Sequence, residues 1–260
     1  MPELVEIEAY RRLADRVVGR TVSKVDAPDS WWIKDDNTPR SLQRALKGVA
    51  ITGTRRIGKL LLLDTTGPTI GLRFGMTGRL AVDGTEGVDE LIYSSRRKDP
   101  AWDRFGLRFG SPEGGSLMVN DPRRLGGVML NPDESVLGPD ALTITLAEFR
   151  RAIDSAAPIK ARLMDQARLA GVGNLTADEA LWRAGVDPRR AARSLEKDEQ
   201  KRLHKHMVKT LKDLDVRGGS HTGDVIEHRV AGGRCPNDGA EMIKATVGGR
   251  TTWWCPQHQF

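Results

Sequence analysis

The spacing of apolar residues divides the chain into parts with different periods. Apolar residues recur at helical intervals between Glu3 and Val18, and Gly19 ends the run, which predicts an early helix. From residue 21 to residue 130, short runs of β-type residues alternate with Gly, Pro and Asp. This pattern is typical of a β-sandwich. Strands are predicted at 22–25, 59–63, 69–72, 79–82, 107–109 and 116–119.

The remainder of the chain has helical spacing and then a tail of different composition. After Gly138 and Pro139, helices are predicted at 146–153, 159–168, 177–184 and 197–215. The tail from Gly218 is rich in glycine and contains both cysteines, so a hairpin with little core of its own is expected there. We therefore predict an α+β chain with a β-sandwich at 1–138, a helical domain at 139–218 and a hairpin at 219–260.

Composition narrows the classes of partner. The chain has 260 residues, of which 38% are hydrophobic, and this is enough to bury a core in each of two domains. Its 41 Lys and Arg exceed its 35 Asp and Glu, and the net charge of +6 favours polyanionic partners. No apolar run approaches the roughly 20 residues that span a bilayer. We expect a cytoplasmic protein that does not bind membranes.

The first candidate for chemistry is the start of the chain, Met1-Pro2-Glu3. Proline at position 2 permits removal of the initiator methionine, which would leave a secondary amine that titrates near neutrality. Such an amine can attack an electrophilic sugar carbon and form an iminium, and the carboxyl of Glu3 could then move protons. The alternative is a proline in the first turn of a helix whose positive end attracts acidic residues.

A glycine-rich turn precedes the second half of the helical domain. The sequence Gly171-Val-Gly173-Asn174 lies between two helical stretches, and small glycines allow backbone amides to approach a phosphate. Asn174 is predicted to cap the helix that follows. The alternative is an ordinary pair of helices without a ligand.

The two cysteines fall in similar motifs, Cys235-Pro-Asn-Asp238 and Cys255-Pro-Gln-His258. Sixteen residues separate these motifs, which is the geometry of a four-ligand zinc hairpin with two thiolates, a carboxylate and an imidazole. We predict one structural zinc ion. The alternative is a hairpin that keeps its fold without metal.

Together, these three segments resemble the formamidopyrimidine-DNA glycosylase and endonuclease VIII family. The resemblance covers nearly the whole chain and implies a β-sandwich, a helix-two-turns-helix domain that binds DNA and a zinc-finger-like hairpin. It also implies a monomeric, nucleoid-associated base-excision-repair enzyme that acts on damaged double-stranded DNA. Such an enzyme is a DNA glycosylase and apurinic/apyrimidinic (AP) lyase that works by β,δ-elimination through a Schiff base, here on Pro2.

The resemblance also implies residue roles. Pro2 corresponds to the nucleophile and Glu3 to the general acid/base. Lys59 corresponds to a lysine placed against a phosphate next to the lesion, and Arg250 to the arginine at the tip of the finger. On sequence alone, Lys59 also fits a strand-edge lysine and Arg250 a solvated turn arginine. Phosphate contacts are implied for Arg73 and Asn174, and a DNA-binding position near the active site for Lys160. Filling of the gap left by the flipped base is implied for Met76, Arg123 and Leu125.

Four departures from purine-specific relatives bear on substrate. Val5 replaces a proline, Arg73 a histidine and Leu125 a phenylalanine. The segment between Gly218 and Cys235 is too short for the element that covers 8-oxoguanine. We therefore expect oxidised pyrimidines, hydantoins or abasic sites to be better substrates than 8-oxoguanine. The alternative function is a catalytically weak or inactive damaged-DNA-binding protein of the same fold.

Overall fold

The computed structural model describes residues 2–92, 94, 97 and 99–260. The chain forms two compact units, one of Pro2 with Glu6–Glu134 and one of Glu3–Val5 with Ser135–Phe260. The hairpin that the sequence sets apart at 219–260 lies in the second unit, and the division into three parts remains a prediction. The helices are α1 Leu4–Ala14, α2 Pro39–Leu46, α3 Leu146–Ile153, α4 Ile159–Leu163, α5 Asn174–Ala184 and α6 Lys197–Arg217. The strands are β1 Val22–Asp26, β2 Ile51–Ile57, β3 Leu60–Thr65, β4 Ile70–Arg73, β5 Arg79–Val82, β6 Thr85–Glu86, β7 Asp103–Phe109, β8 Ser116–Asn120, β9 Gly127–Leu130, β10 Ile243–Val247 and β11 Arg250–Trp254.

Two antiparallel sheets make up the first unit. One has the strand order β1-β7-β8-β5-β6 and the other β2-β3-β4-β9. Leu61 and Leu63 of the second sheet share a buried core with Leu107 and Val119 of the first. Side chains from the inner faces of the two sheets therefore pack against each other, which confirms the predicted sandwich.

Helix α2 was not anticipated within a region predicted to be all β. Its start carries a clear local signal, because the Thr38 hydroxyl accepts from Ser41 N at 3.1 Å while the Ser41 hydroxyl accepts from Thr38 N at 2.8 Å. Pro39 occupies the first helical position, and Leu42 and Leu46 are fully buried. The capping box and the apolar spacing of four residues explain a helix here.

The second unit is helical and ends in the β10–β11 hairpin. Helix α3 has the predicted bounds and begins with a capping box between Thr145 and Glu148. Helix α4 ends at Leu163, earlier than predicted, because the Gln166 side chain rather than a helical amide bonds the Met164 carbonyl at 2.8 Å. Among the described residues, no helix combines the length and apolar character that crossing a bilayer requires.

Candidate active site

The carboxylate of Glu3 caps helix α5. Its two oxygens accept from Leu175 N at 2.9 Å, from Thr176 N at 3.1 Å and from the Thr176 hydroxyl at 2.6 Å. Glu3 is 1% exposed. A carboxylate at this position satisfies amides that have no partner within the helix and faces the positive end of its dipole. The residue after Pro2 is therefore fixed in position by helix α5.

The glycines of the 171–173 turn make room for the start of the chain. A Cβ on Gly173 would lie 2.1 Å from Glu3 Cδ, and one on Gly171 would lie 2.4 Å from a methyl of Leu4. Gly171 also has a φ of +115° and accepts from Leu4 N at 3.2 Å. These glycines allow Glu3 and Leu4 to pack against the turn, and the amides that Glu3 bonds are not open to a phosphate.

The prediction that Asn174 caps α5 was wrong. Gly173 is the N-cap residue, Asn174 is the first helical residue, and Glu3 supplies the capping oxygen. The Oδ1 atom of Asn174 is buried, and no described residue bonds it. The DNA contact implied for this side chain remains a prediction.

Pro2 and Lys59 belong to the first unit. Pro2 is buried, and Lys59 is half-buried in the two-residue turn between β2 and β3. Gly58, the other turn residue, has a φ of +55°, and its carbonyl accepts from Arg56 at 3.1 Å. Lys59 is therefore a turn residue rather than a strand residue. Arg73 is exposed at the end of β4, beside Gly127 of β9.

The structure brings together the three residues expected to fill the gap in the duplex. Arg123 Nη1 lies 3.6 Å from Met76 Sδ, and Leu125 is 50% exposed. A Cβ on Gly75, next to Met76, would lie 2.5 Å from the Leu125 carbonyl carbon. The turn at 74–77 and the loop at 121–126, here called the wedge loop, thus form one surface, although its role against DNA remains a prediction.

One buried carboxylate holds this surface together. Asp121, which is 0% exposed, accepts from the Thr77 hydroxyl at 2.6 Å, from Trp32 Nε1 at 3.0 Å and from Gly126 N at 2.9 Å. Thr77 follows Met76, while Gly126 follows Leu125. A single side chain therefore fixes both the turn and the wedge loop.

Lys160 does not present its ammonium group to the surface. The side chain is 0% exposed, and Nζ lies 2.6 Å from Asp178 Oδ1. It also donates to the Thr252 hydroxyl at 2.8 Å and to the Thr251 carbonyl at 3.1 Å. Burial lowers the pKa of Lys160 and raises the pKa of Asp178, while each charge opposes the shift of the other. Lys160 and Asp178 anchor β11 to α4 and α5.

Arg250 is exposed at the first position of β11, next to the Gly248-Gly249 turn. A Cβ on Gly248 would lie 2.7 Å from Ala161 Cβ, so the turn packs against α4. Thr251, which follows Arg250, is bonded by Lys160. The arginine therefore extends from a hairpin end that is fixed in the second unit, as the predicted phosphate contact requires.

The four predicted metal ligands converge. One donor atom from each of Cys235, Asp238, Cys255 and His258 lies within 4.8 Å of the others. His258 Nδ1 lies 3.1 Å from Asp238 Oδ2 and 3.5 Å from Cys235 Sγ, while Nε2 faces the Trp182 carbonyl at 3.1 Å. A carbonyl that accepts from Nε2 leaves Nδ1 as the coordinating nitrogen. Tetrahedral zinc places its donors about 4 Å from one another, and the spread of 4.8 Å is close to that spacing, so these donors could hold such an ion.

Two of these donors have pKa values that differ from the ordinary ones in the absence of a metal ion. The backbone amide of Ala240 holds the pKa of Asp238 at about 2, with help from Cys255 and His258. Burial raises the pKa of the Cys255 thiol to about 11. In the described residues the two thiols are free rather than joined as a disulfide.

Comparison with known proteins agrees with this arrangement. Residues 1–128 match the N-terminal domain of formamidopyrimidine-DNA glycosylase, and residues 137–224 match its helix-two-turns-helix domain. The formamidopyrimidine-DNA glycosylase of Stenotrophomonas maltophilia is 34% identical over 286 residues, which cover all of both chains. The chain belongs to the formamidopyrimidine-DNA glycosylase family. It is accordingly a base-excision-repair DNA glycosylase and AP lyase.

Other members of the glycosylase family are similar in sequence or in structure. The Arabidopsis thaliana formamidopyrimidine-DNA glycosylase is 31% identical, and the match covers all of this chain and 71% of the relative. A complex of the Lactococcus lactis protein with DNA that contains an abasic site matches with a TM-score of 0.81 and 25% identity over 99% of both chains. A complex of that protein with DNA containing an oxidised pyrimidine matches equally well.

The segment between Gly218 and Cys235, which is predicted to be too short to cover 8-oxoguanine, lies against α5. Glu179 of α5 accepts from Asp224 N at 3.0 Å and from Val225 N at 3.1 Å. Arg183 bonds the Asp224 carboxylate at 2.7 Å, and Arg229 pairs with Asp178 at 2.8 Å. The segment is thus tied down along its length.

Sequence reasoning missed two residues that organise the glycosylase and one exposed aromatic residue. Asp121 and Asp178 are buried carboxylates whose partners lie far away in sequence, so no local pattern marks them. Trp31 is exposed beside a fully buried Trp32. The Trp31-Trp32 pair was the only signal available, and it does not reveal which ring is outside.

Proposed function

We propose that this glycosylase removes oxidised pyrimidines and hydantoins, in preference to 8-oxoguanine, from damaged double-stranded DNA. It then cleaves the strand by β,δ-elimination. The observation that carries the proposed chemistry is the position of Glu3. This residue follows Pro2 directly, and its carboxylate accepts hydrogen bonds from the start of helix α5. A general acid/base has to be held in place relative to its nucleophile.

Pro2, once Met1 is removed, supplies a secondary amine with a free electron pair. That pair attacks C1′ of the damaged nucleotide, and the bond to the base breaks as a proton reaches the departing base. The attacking nitrogen then loses its proton, and the sugar ring opens as its oxygen takes up a proton, which leaves an iminium between the Pro2 nitrogen and C1′. The positive nitrogen acidifies C2′, whose proton is removed as the 3′ phosphate leaves, and a second elimination releases the 5′ phosphate.

Glu3 is the group that moves protons during these steps. Its carboxylate is anchored by Leu175 N and by both donors of Thr176, so it has little freedom to rotate away. Protonation of the ring oxygen and removal of the C2′ proton both need a carboxyl group beside the reacting sugar. Lys59, Arg73, Asn174 and Arg250 are proposed to hold phosphates of the same strand.

The preference for oxidised pyrimidines rests on the 218–235 segment. It forms two short 3₁₀ turns, Ser220–Thr222 and Ile226–His228, and its bonds to Glu179 and Arg183 hold it down. A segment this short and this restrained offers no long element to cover a large oxidised purine. The Lactococcus lactis structure with oxidised-pyrimidine DNA is consistent with such a substrate in this family.

We further propose that Cys235, Asp238, Cys255 and His258 hold one structural zinc ion. The ion would fix the base of the β10–β11 hairpin and thereby the position of Arg250, without a part in the reaction itself. Trp182 supports the site twice, because Nε1 lies 3.3 Å from Cys235 Sγ while its carbonyl orients His258.

Single-turnover cleavage of matched duplexes tests this function. Duplexes containing an oxidised pyrimidine, a hydantoin, an abasic site or 8-oxoguanine opposite cytosine are incubated side by side with the protein freed of Met1. We expect 8-oxoguanine to be the slowest of the four, and a rate on it above all others would refute the preference. Binding to every duplex without cleavage of any would instead favour the inactive DNA-binding protein.

A further inference from the structure

The side chain of Trp31 is exposed, and the fold does not need a tryptophan at this position. Its side chain is 67% exposed, whereas Trp32 is 0% exposed and bonds Asp121. Asp29 caps the short 3₁₀ turn of Ser30–Trp32 by accepting from Trp31 N at 3.1 Å. The turn is therefore ordered by the capping carboxylate and by Trp32, and burial of the Trp31 ring contributes little to it.

The segment that carries Trp31 runs beside the wedge loop in a fixed register. Asp29 forms a two-pronged ion pair with Arg124, with both N···O distances 2.6 Å. Ile33 forms a parallel bridge with Val128, and Lys34 N donates to the Val128 carbonyl at 2.9 Å. Asp29 and Ile33 flank the Ser30–Trp32 turn and contact Arg124 and Val128, so the turn that carries Trp31 lies alongside the wedge loop.

Gly126 shows how closely the two segments approach. A Cβ at this position would lie 2.8 Å from the Trp32 indole and 2.3 Å from the Arg73 carbonyl oxygen. Leu125, the neighbour of Gly126, is the exposed residue expected to enter the duplex. Trp31 and Leu125, which are both exposed, therefore neighbour two residues, Trp32 and Gly126, that pack against each other.

One cation lies against the ring, and two arginines lie on the wedge loop nearby. Lys34 Nζ lies 5.4 Å from the centre of the Trp31 ring and donates to the Trp31 carbonyl at 2.7 Å. Arg123 and Arg124 are exposed on the wedge loop. An exposed aromatic ring among such groups is the combination that binds nucleic acid, because bases and sugars pack on the ring while the cations face phosphates.

We propose that Trp31 is a further DNA-contacting residue, which packs against a base or sugar beside the nucleotides that the wedge loop displaces. This inference rests on the proposed function, because it assumes a wedge loop that enters damaged duplex DNA. Trp31 acts by binding, and the covalent steps at Pro2 do not involve it. Trp31 is thus proposed to contact DNA next to the position that Met76, Arg123 and Leu125 occupy.

The first test compares the affinities of three variants for a duplex that contains a tetrahydrofuran abasic analogue. Trp31→Ala removes the ring, Trp31→Phe keeps an aromatic face, and Phe260→Ala removes a ring that is 71% exposed in the second unit. Stacking of this kind predicts that Trp31→Ala weakens binding about tenfold, with most of the affinity kept by Trp31→Phe. Phe260→Ala should bind like wild type. Equal affinities of Trp31→Ala and wild type would overturn the inference.

Acrylamide quenching of tryptophan fluorescence supplies a second readout, which is measured on the wild-type protein and uses Trp31→Phe only to assign the signal. In wild type, DNA should protect a quenchable fraction of the emission, and Trp31→Phe should lack that fraction. A wild-type fraction that stays quenchable in the saturated complex would leave Trp31 outside the contact and contradict the proposal. Protection by a second protein molecule in the absence of DNA would also contradict it, because the ring would then serve an interface between copies. If the wild type neither binds nor cleaves the duplex, the proposed function fails first.

Discussion

The ammonium group of Lys160 lies 2.6 Å from the carboxylate of Asp178, and neither side chain is exposed. The resemblance to the family predicts a DNA contact for this lysine, yet its other bonds run to Thr251 and Thr252 of the hairpin. These contacts indicate that Lys160 positions Arg250, which immediately precedes Thr251. The difference between positioning and direct contact can be measured.

Substitution of Lys160 by Met should destabilise the second unit strongly. It leaves the Asp178 carboxylate buried with Arg229 as its remaining charged partner, and breaking a buried pair costs about 3–5 kcal/mol. Urea unfolding of Lys160→Met against the exposed control Lys201→Met measures this loss. If Lys160 instead contacted a phosphate directly, Lys160→Met would leave stability nearly unchanged. The salt dependence of DNA binding would then fall by about one unit, which is the change expected for Arg250→Ala.

Replacement of Gly173 by Ala should impair catalysis more than folding. The new Cβ would meet the Glu3 carboxyl carbon at 2.1 Å, so the carboxylate has to leave its place at the start of α5. We expect strand cleavage to slow by at least about tenfold, because small displacements of a catalytic group cost this much or more. Gly53→Ala, which adds a Cβ with no atom within 4 Å, is the control. Equal cleavage rates for both variants would show that the position of Glu3 is not critical.

Substitution of Asp121 by Asn should loosen the wedge loop. One of the three donors that Asp121 now bonds would face an amide NH₂ instead of an oxygen, and an unsatisfied buried group costs about 1–3 kcal/mol. Thermal unfolding measures that cost, with the exposed Asp36→Asn as control. Binding to an abasic-analogue duplex should weaken in parallel. Wild-type affinity in Asp121→Asn would mean that the loop needs no preorganisation.

The Asp29–Arg124 pair predicts a pH-dependent contribution to stability. The hydrogen bonds from Arg124 lower the pKa of Asp29 below its ordinary value of about 3.9. A carboxyl with a lowered folded-state pKa stabilises the fold above its unfolded pKa, and this contribution is lost as pH falls through the folded value. The difference in melting temperature between wild type and Asp29→Asn should therefore be constant from pH 7 to 5 and shrink below about pH 4. A difference that grows on acidification would contradict the assignment.

Local sequence signals predicted those parts of the fold whose cause is local. The apolar spacing after Gly138 and Pro139 located α3 to the residue, and the Thr145–Glu148 capping box explains why the helix starts there. The same kind of signal at Thr38 and Ser41 was available for α2 and was overlooked within a β-rich region. The ligand motifs Cys235–Asp238 and Cys255–His258 converge as their spacing predicts, because a hairpin brings equivalent positions together.

Features that depend on distant partners could not be predicted in this way. Asn174 has the composition of a cap, but a carboxylate 171 positions earlier takes that role because Gly173 leaves room for it. Lys160 resembles any helix-surface lysine until Asp178 and the hairpin cover it. In the sequence Asp121 resembles an ordinary turn residue. Only the fold shows that its carboxylate joins Thr77, Trp32 and Gly126.

The central claim is that the amine of Pro2 becomes covalently joined to the sugar of damaged DNA. The protein is first weighed intact to establish that Met1 is absent, then incubated with abasic duplex in borohydride, digested and analysed by peptide mass. The account predicts a reduced sugar adduct on the peptide that begins at Pro2, and its loss when Met1 is retained. Trimmed protein that binds the duplex but yields no adduct, or an adduct on another residue, would contradict it.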